Sequence, residues 1–337
     1  VAFLADRQRR RSRYHRRHRA QAGTQTTRMV ARTVVKNLST QIPNYPSSKS
    51  RRFSIRTSGF RFIWVLGCVS MWVLLSGCRS TPKSNIFDAS MRGDVLLAET
   101  LLKADERNAR ARLDDLNPIH YAAAEGHIGI AGMLILKGAS ANSVNREGYT
   151  PVHAATNNGQ INMIAYLASE GANLDAKYRG SQTALHDAIY FNRGEVAALL
   201  LELGADPNLP NQHNWTPLLL ASKQGRDNCV TALLAANAQL GSTTSKGDSA
   251  LCVALNHGHM NIVRALVKAG IDVNIANAEG VTALHLAAIH GDAEIAKLLL
   301  ESGASLTMKT AEGELPVQWA VDPKTAAVFA AWSKPQR

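Results

Sequence analysis

From residue 84 to about residue 333 the apolar and polar positions recur in a fixed order. A short stretch with helical spacing ends at a small residue, a second, leucine-rich helical stretch follows, and a polar segment turns at another small residue. The order returns every 33 residues. Upstream, residues 62–78 read FIWVLGCVSMWVLLSGC, an uncharged run between Arg61 and Arg79. Residues 1–61 mix Arg, Ser, Thr and Gln with Pro43 and Pro46 and follow neither helical nor strand spacing, which predicts a tail with no packed core.

The period is set by tetrapeptides. Asn117-Pro118-Ile119-His120, Thr150-Pro151-Val152-His153, Thr183-Ala184-Leu185-His186, Thr216-Pro217-Leu218-Leu219, Ser249-Ala250-Leu251-Cys252 and Thr282-Ala283-Leu284-His285 start 33 residues apart without a slip. Glu314-Leu315-Pro316-Val317-Gln318 continues the series weakly. Thr or Ser suits a helix N-cap, and Pro suits the first helical position, where its missing N–H costs nothing. An alanine column (Ala122, Ala155, Ala188, Ala221, Ala254, Ala287) predicts close approach of neighbouring first helices. Those helices stop at Gly126, Gly159, Asn192, Gly225, Gly258 and Gly291, and the second helices stop at Gly138, Gly171, Gly204, Asn237, Gly270 and Gly303. Asn is the next-best residue for a left-handed stop after Gly.

A 33-residue unit bearing T-P-L-H-x-A resembles the ankyrin repeat. The resemblance covers residues 84 to about 333 and implies an all-α solenoid of helix-loop-helix units with hairpin or loop tips. Eight units start near residues 84, 117, 150, 183, 216, 249, 282 and 315, with the two end units degenerate. No single unit can bury its apolar face, so stacking completes the core. Truncating a seam leucine such as Leu199 or Leu299 to alanine is then expected to cost about 2–5 kcal/mol.

The uncharged run is slightly short for a spanning helix. Its flanks change the reading, because a basic stretch followed by an apolar one ending in small residues has the layout of an export signal. Leu75, Ser76, Gly77 and Cys78 match, position for position, the lipobox of a bacterial lipoprotein signal peptide, which the segment resembles. That resemblance implies diacylglycerol on the Cys78 thiol and cleavage before Cys78, with residues 78–83 as a lipidated linker. The other reading is an uncleaved signal anchor. Both put the repeats on the extracytoplasmic side, since basic flanks stay cytoplasmic. Arg79 after the cysteine favours the periplasmic face of an outer membrane where the cell has one.

Charge sharpens the division of the chain. Its 337 residues carry a formal +12. Residues 1–77 hold sixteen Lys or Arg against the single acid Asp6, a net of +15, whereas residues 78–337 hold 22 basic and 25 acidic side chains, a net of −3. The basicity belongs to the leader, and the repeat region offers no basic face for nucleic acid.

Catalysis finds no support: no triad and no phosphate loop stands in a suitable context, and no cofactor is expected. The resemblance gives the four motif histidines a structural role, bonding the motif Thr and the neighbouring loop. His257, His259 and His290 lack carboxylate or thiol partners at ligand spacing, so no metal is expected. Cys229 and Cys252 fall at positions that are usually buried, and the monomer is the expected state. Function is expected on the tips and the outer side of the first helices in the third to fifth units. There Tyr149, Tyr178, Tyr190, Phe191 and Trp215 stand among Arg146, Arg179, His213 and Lys223. Aromatics beside cations have the composition of a protein-binding hot spot. Two alternatives stay open: Tyr190 and Phe191 pack against the adjacent unit, or the array is an envelope scaffold with no dedicated pocket.

Overall fold

A computed structural model describes residues 85–333; Cys78, the apolar run and the basic leader lie outside the described residues. The described part holds fifteen α-helices and no strand. Helices α1 (Ile86–Arg92) and α2 (Val95–Ala104) form the first unit. The next six units each contribute two helices: α3 (Pro118–Glu125) and α4 (Ile128–Leu136), α5 (Pro151–Asn158) and α6 (Ile161–Ser169), α7 (Ala184–Tyr190) and α8 (Gly194–Glu202), α9 (Pro217–Gln224) and α10 (Asp227–Ala235), α11 (Ala250–His257) and α12 (Met260–Lys268), and α13 (Ala283–His290) and α14 (Ala293–Glu301). In the last unit a 3₁₀ turn (Pro316–Trp319) replaces the first helix and precedes α15 (Pro323–Trp332). Leu315 stands there where other units place a capping Ser, Thr or Asn, and Pro323 disfavours helical backbone at Asp322.

Each first helix begins as its motif dictates. The Thr150, Thr216 and Ser249 hydroxyls accept from backbone N–H groups three residues on. The stops obey the small-residue rule, and the two asparagines comply: Asn192 and Asn237 both sit at φ 56°. Tips turn through left-handed residues too, with Gly148 at φ 83°, Ser181 at 58° and Asn214 at 60°. A Cβ on Gly148 would lie 2.6 Å from the Lys177 carbonyl oxygen of the next tip, so glycine is required there by space as well as by angle.

The tips are turns closed by isolated bridges, as between Tyr178 and Gln182 or Thr243 and Ser249. They are stitched to one another: Arg179 N–H donates to Glu147 O (3.1 Å), Gln212 to Gly180 (2.8 Å), Ala278 to Lys246 (2.9 Å) and Ala311 to Glu279 (2.9 Å). The alanine column is fully buried between first helices. In the second helices the seam differs by one residue from the expectation for Leu199: Leu200 is fully buried, while Leu199 is partly exposed beside it. The reason is helical phase, since Leu167, Leu200, Leu233 and Leu266 share one position and all point inward. Leu299 continues that column and is also fully buried. Leu200→Ala and Leu299→Ala are each expected to lower stability by about 2–5 kcal/mol, and Leu199→Ala by less, as read from urea midpoints.

Candidate functional site

The motif histidines tie a first helix to the tip that closes its unit. His120, His153, His186 and His285 each accept at Nδ1 from the backbone N–H of their own N-cap residue, at 3.2–3.3 Å. With Nδ1 accepting, the proton resides on Nε2, which donates to the following tip: His120 to Tyr149 O (3.1 Å), His186 to Trp215 O (3.0 Å) and His285 to Glu314 O (3.2 Å). These rings are buried, and a second proton would have to sit on Nδ1, against an N–H. Burial accordingly pushes His120 and His186 down to about 4, and lowers His285 as well.

With the tips held in this way, their aromatic side chains lie over the first helices. Tyr149 is 9% exposed. Its hydroxyl accepts from Asn157 Nδ2 on α5 at 3.0 Å, and its ring stacks on His153 (5.5 Å) and meets Tyr178 edge-on (5.3 Å). The Tyr178 hydroxyl donates to the Asp187 carboxylate on α7 at 2.8 Å, and burial raises its pKa. Tyr149 is therefore a packing residue, against the expectation that it is presented to a partner. The Asn145 side chain accepts from the Tyr149 and Glu147 N–H groups and closes the turn, and the bond from Asn157 to the hydroxyl holds the ring inward.

One unit further on the geometry opens. The Trp215 ring is partly exposed and carries the Lys223 ammonium of α9 at 4.5 Å from its centroid, a cation–π contact. Exposed His213 flanks it, with Nε2 3.0 Å from Gln212 Nε2. Tyr190 and Phe191, at the end of α7, meet edge-on at 5.3 Å and stay partly exposed. The two arginines bind neighbouring tips: Arg146 pairs with Asp115 (3.5 Å) and Arg179 with Glu147, both on the surface. Of the nine residues expected to meet a partner, Trp215 and Lys223 come together, Tyr190 pairs with Phe191, and buried Tyr149 meets partly buried Tyr178.

The sequence reading missed Asp187 and Asn157. Asp187 is 5% exposed and stands where other units carry Tyr121, Ala154, Leu220, Val253 or Leu286. An acid at a position otherwise apolar or aromatic was the available signal. Among the described residues no group of three His, Cys, Asp or Glu is placed to hold a metal. Cys229 and Cys252 are free and buried, and burial pushes both thiols up to about 11, far from a reactive thiolate. No helix of the described residues is long and apolar enough to cross a membrane.

Comparison with known proteins fits this geometry. A family model described as "Ankyrin repeats (3 copies)" matches residues 86–178, 119–211, 177–244 and 218–310. The chain is similar in fold to the ankyrin repeat domain of Bcl-3, described as a unique member of the IkappaB protein family, at 24% identity and TM-score 0.60 over 64% of this chain and 99% of that one. It is also similar to the human ASB11 ankyrin repeat domain, at 27% identity and TM-score 0.54 over 66% of this chain and 100% of that one. No curated protein matches the chain. Matched by the family model from residue 86 to residue 310, and built of two-helix units whose tips are stitched together by backbone hydrogen bonds, the chain belongs to the ankyrin repeat family.

Proposed function

We propose that this protein is a non-catalytic binding module that captures another protein through the tips and first helices of its fourth and fifth units. It is held to the extracytoplasmic side of a bacterial membrane by lipid on Cys78, as an accessory or protective partner of the protein it binds. Ankyrin repeats are protein-interaction modules, which supports the general class. The observation that carries the particular surface is Trp215, a large aromatic held partly exposed beside a cation, whereas Tyr149 at the same tip position is buried. The membrane half rests on the match of Leu75, Ser76, Gly77 and Cys78 to a lipobox after a basic and then apolar stretch. Two or three acyl chains anchor a protein stably where one does not.

Cross-linking with mass spectrometry, on cells carrying wild type, Trp215→Ala or Cys78→Ser, tests both halves. Wild type is expected to give one dominant partner mapped near Trp215, lost in Trp215→Ala while that variant stays folded, with a smaller fall in melting temperature than Tyr149→Ala. Cys78→Ser is expected to stay unprocessed and take up no labelled fatty acid. Cross-links spread evenly over all units would overturn the binding surface, and lipid labelling that persists in Cys78→Ser would overturn the anchor.

A further inference from the structure

Lys223 is the starting point. Nearly every other basic side chain of the described residues that is not fully exposed has an oxygen to bind. Arg193 donates to Asn157 O (2.8 Å), Arg226 to Tyr190 O (3.5 Å) and Gln224 Oε1 (3.3 Å), and Lys137 pairs with Glu106 (2.6 Å). Lys223 is partly buried on α9, yet its ammonium has no hydrogen bond and no carboxylate within ion-pair distance. Its one contact of charge is the face of Trp215. Burial holds its pKa below the ordinary lysine value, the response of a cation that has lost water without gaining an anion.

The repeat explains why nothing intramolecular reaches it. The same position in the units on either side is Tyr190 and Asn256, neither of them anionic. The buried acid of the preceding first helix, Asp187, is bound by the Tyr178 hydroxyl. Near Lys223 the tip supplies Trp215 and His213, again without a carboxylate. A cation–π contact satisfies part of the charge but none of the three ammonium N–H donors, which need oxygen acceptors.

We infer that Lys223, walled by Trp215, receives the carboxylate of an Asp or Glu side chain carried by the protein partner. The inference rests on the binding reading above and adds the chemistry of the partner residue. Charge complementarity at a partly desolvated site gives specificity for the acid over its amide, because the amide offers the ammonium only a neutral carbonyl oxygen where the acid offers a full negative charge.

The test uses the full chain and a displayed library of random 12-residue peptides. Binders are selected on wild type, then measured against Lys223→Met, which keeps the aliphatic stem on Trp215 and removes the charge, and against Trp215→Ala. Selected peptides are expected to share an acidic residue. Changing that residue to its amide is expected to weaken binding to wild type roughly tenfold or more, and binding to Lys223→Met less than about twofold. Lys223→Met should melt at or above the wild-type temperature, which separates lost recognition from lost folding. Acid-free binders, or equal losses on both proteins, overturn the carboxylate while leaving the binding surface intact if Trp215→Ala still abolishes capture. Absence of any binder sensitive to Trp215 or Lys223 overturns the surface as well.

Discussion

Tyr149→Ala is expected to lower the free energy of unfolding by about 3–5 kcal/mol, the range for truncating a buried aromatic. The ring is 9% exposed and lies against His153, His120 and Tyr178 at centroid distances of 5.5, 6.4 and 5.3 Å. Removing it opens a cavity between the second and third units and takes away the hydroxyl that Asn157 Nδ2 donates to. Tyr149→Phe keeps the ring and deletes only that bond, for an expected loss of about 1 kcal/mol. Urea denaturation followed by circular dichroism separates the two, and an unchanged midpoint in Tyr149→Ala would mean that the ring is not part of the core. The same change at Trp215, whose ring is only partly buried, is expected to abolish capture of the partner and to lower the midpoint less than Tyr149→Ala does.

Acid should weaken the array steeply. Burial lowers His120 and His186 from 6.5 to about 4 in the folded chain. Above pH 6.5 neither state binds the proton, so the full stability is present. As pH falls from 6.5 toward 4 the unfolded chain takes up protons that the folded chain refuses, and stability is lost; below about 4 both states are protonated and the loss from these groups ends. Each ring contributes roughly 3 kcal/mol over that window, so the pair contributes on the order of 6 kcal/mol. His285 acts in the same direction. Urea midpoints between pH 7 and pH 4 check this: the decline should be steep in wild type and distinctly shallower in His120→Gln and His186→Gln, each compared with its own value at pH 7. A decline of equal slope in both variants would assign acid lability to the carboxylates instead.

These two expectations separate what could be read along the chain from what could not. Caps, stops and turns are local: Thr150 caps because its hydroxyl reaches an N–H three residues on, and Asn192 turns because its own backbone tolerates φ 56°. Such features depend on neighbours in sequence and so survive being read as a string. The bridging role of the histidines was also legible through the family resemblance, and the distances to Tyr149 O, Trp215 O and Glu314 O agree with it. The direction of the tip aromatics was not. Tyr149 and Trp215 occupy the same position in units two apart, and one is buried whereas the other is partly exposed. The difference comes from which side chain of the first helix lies beneath: Asn157 and the Tyr178–Asp187 pair draw the first ring in, while Lys223 props the second.

Sequence by itself determined the repeat, its 33-residue length, the all-α class, and the division between strongly basic residues 1–77 and a slightly acidic remainder. Each follows from composition or from contacts only a few residues apart. Tertiary structure alone decided which of nine candidate residues face outward, that Leu200 rather than Leu199 fills the seam, that Asp187 is buried beneath Tyr178, and that Lys223 stands without an anion. Those outcomes depend on groups that lie far apart in the chain, often a whole unit away, where a hydrogen bond or a ring contact exists only once neighbouring units have stacked.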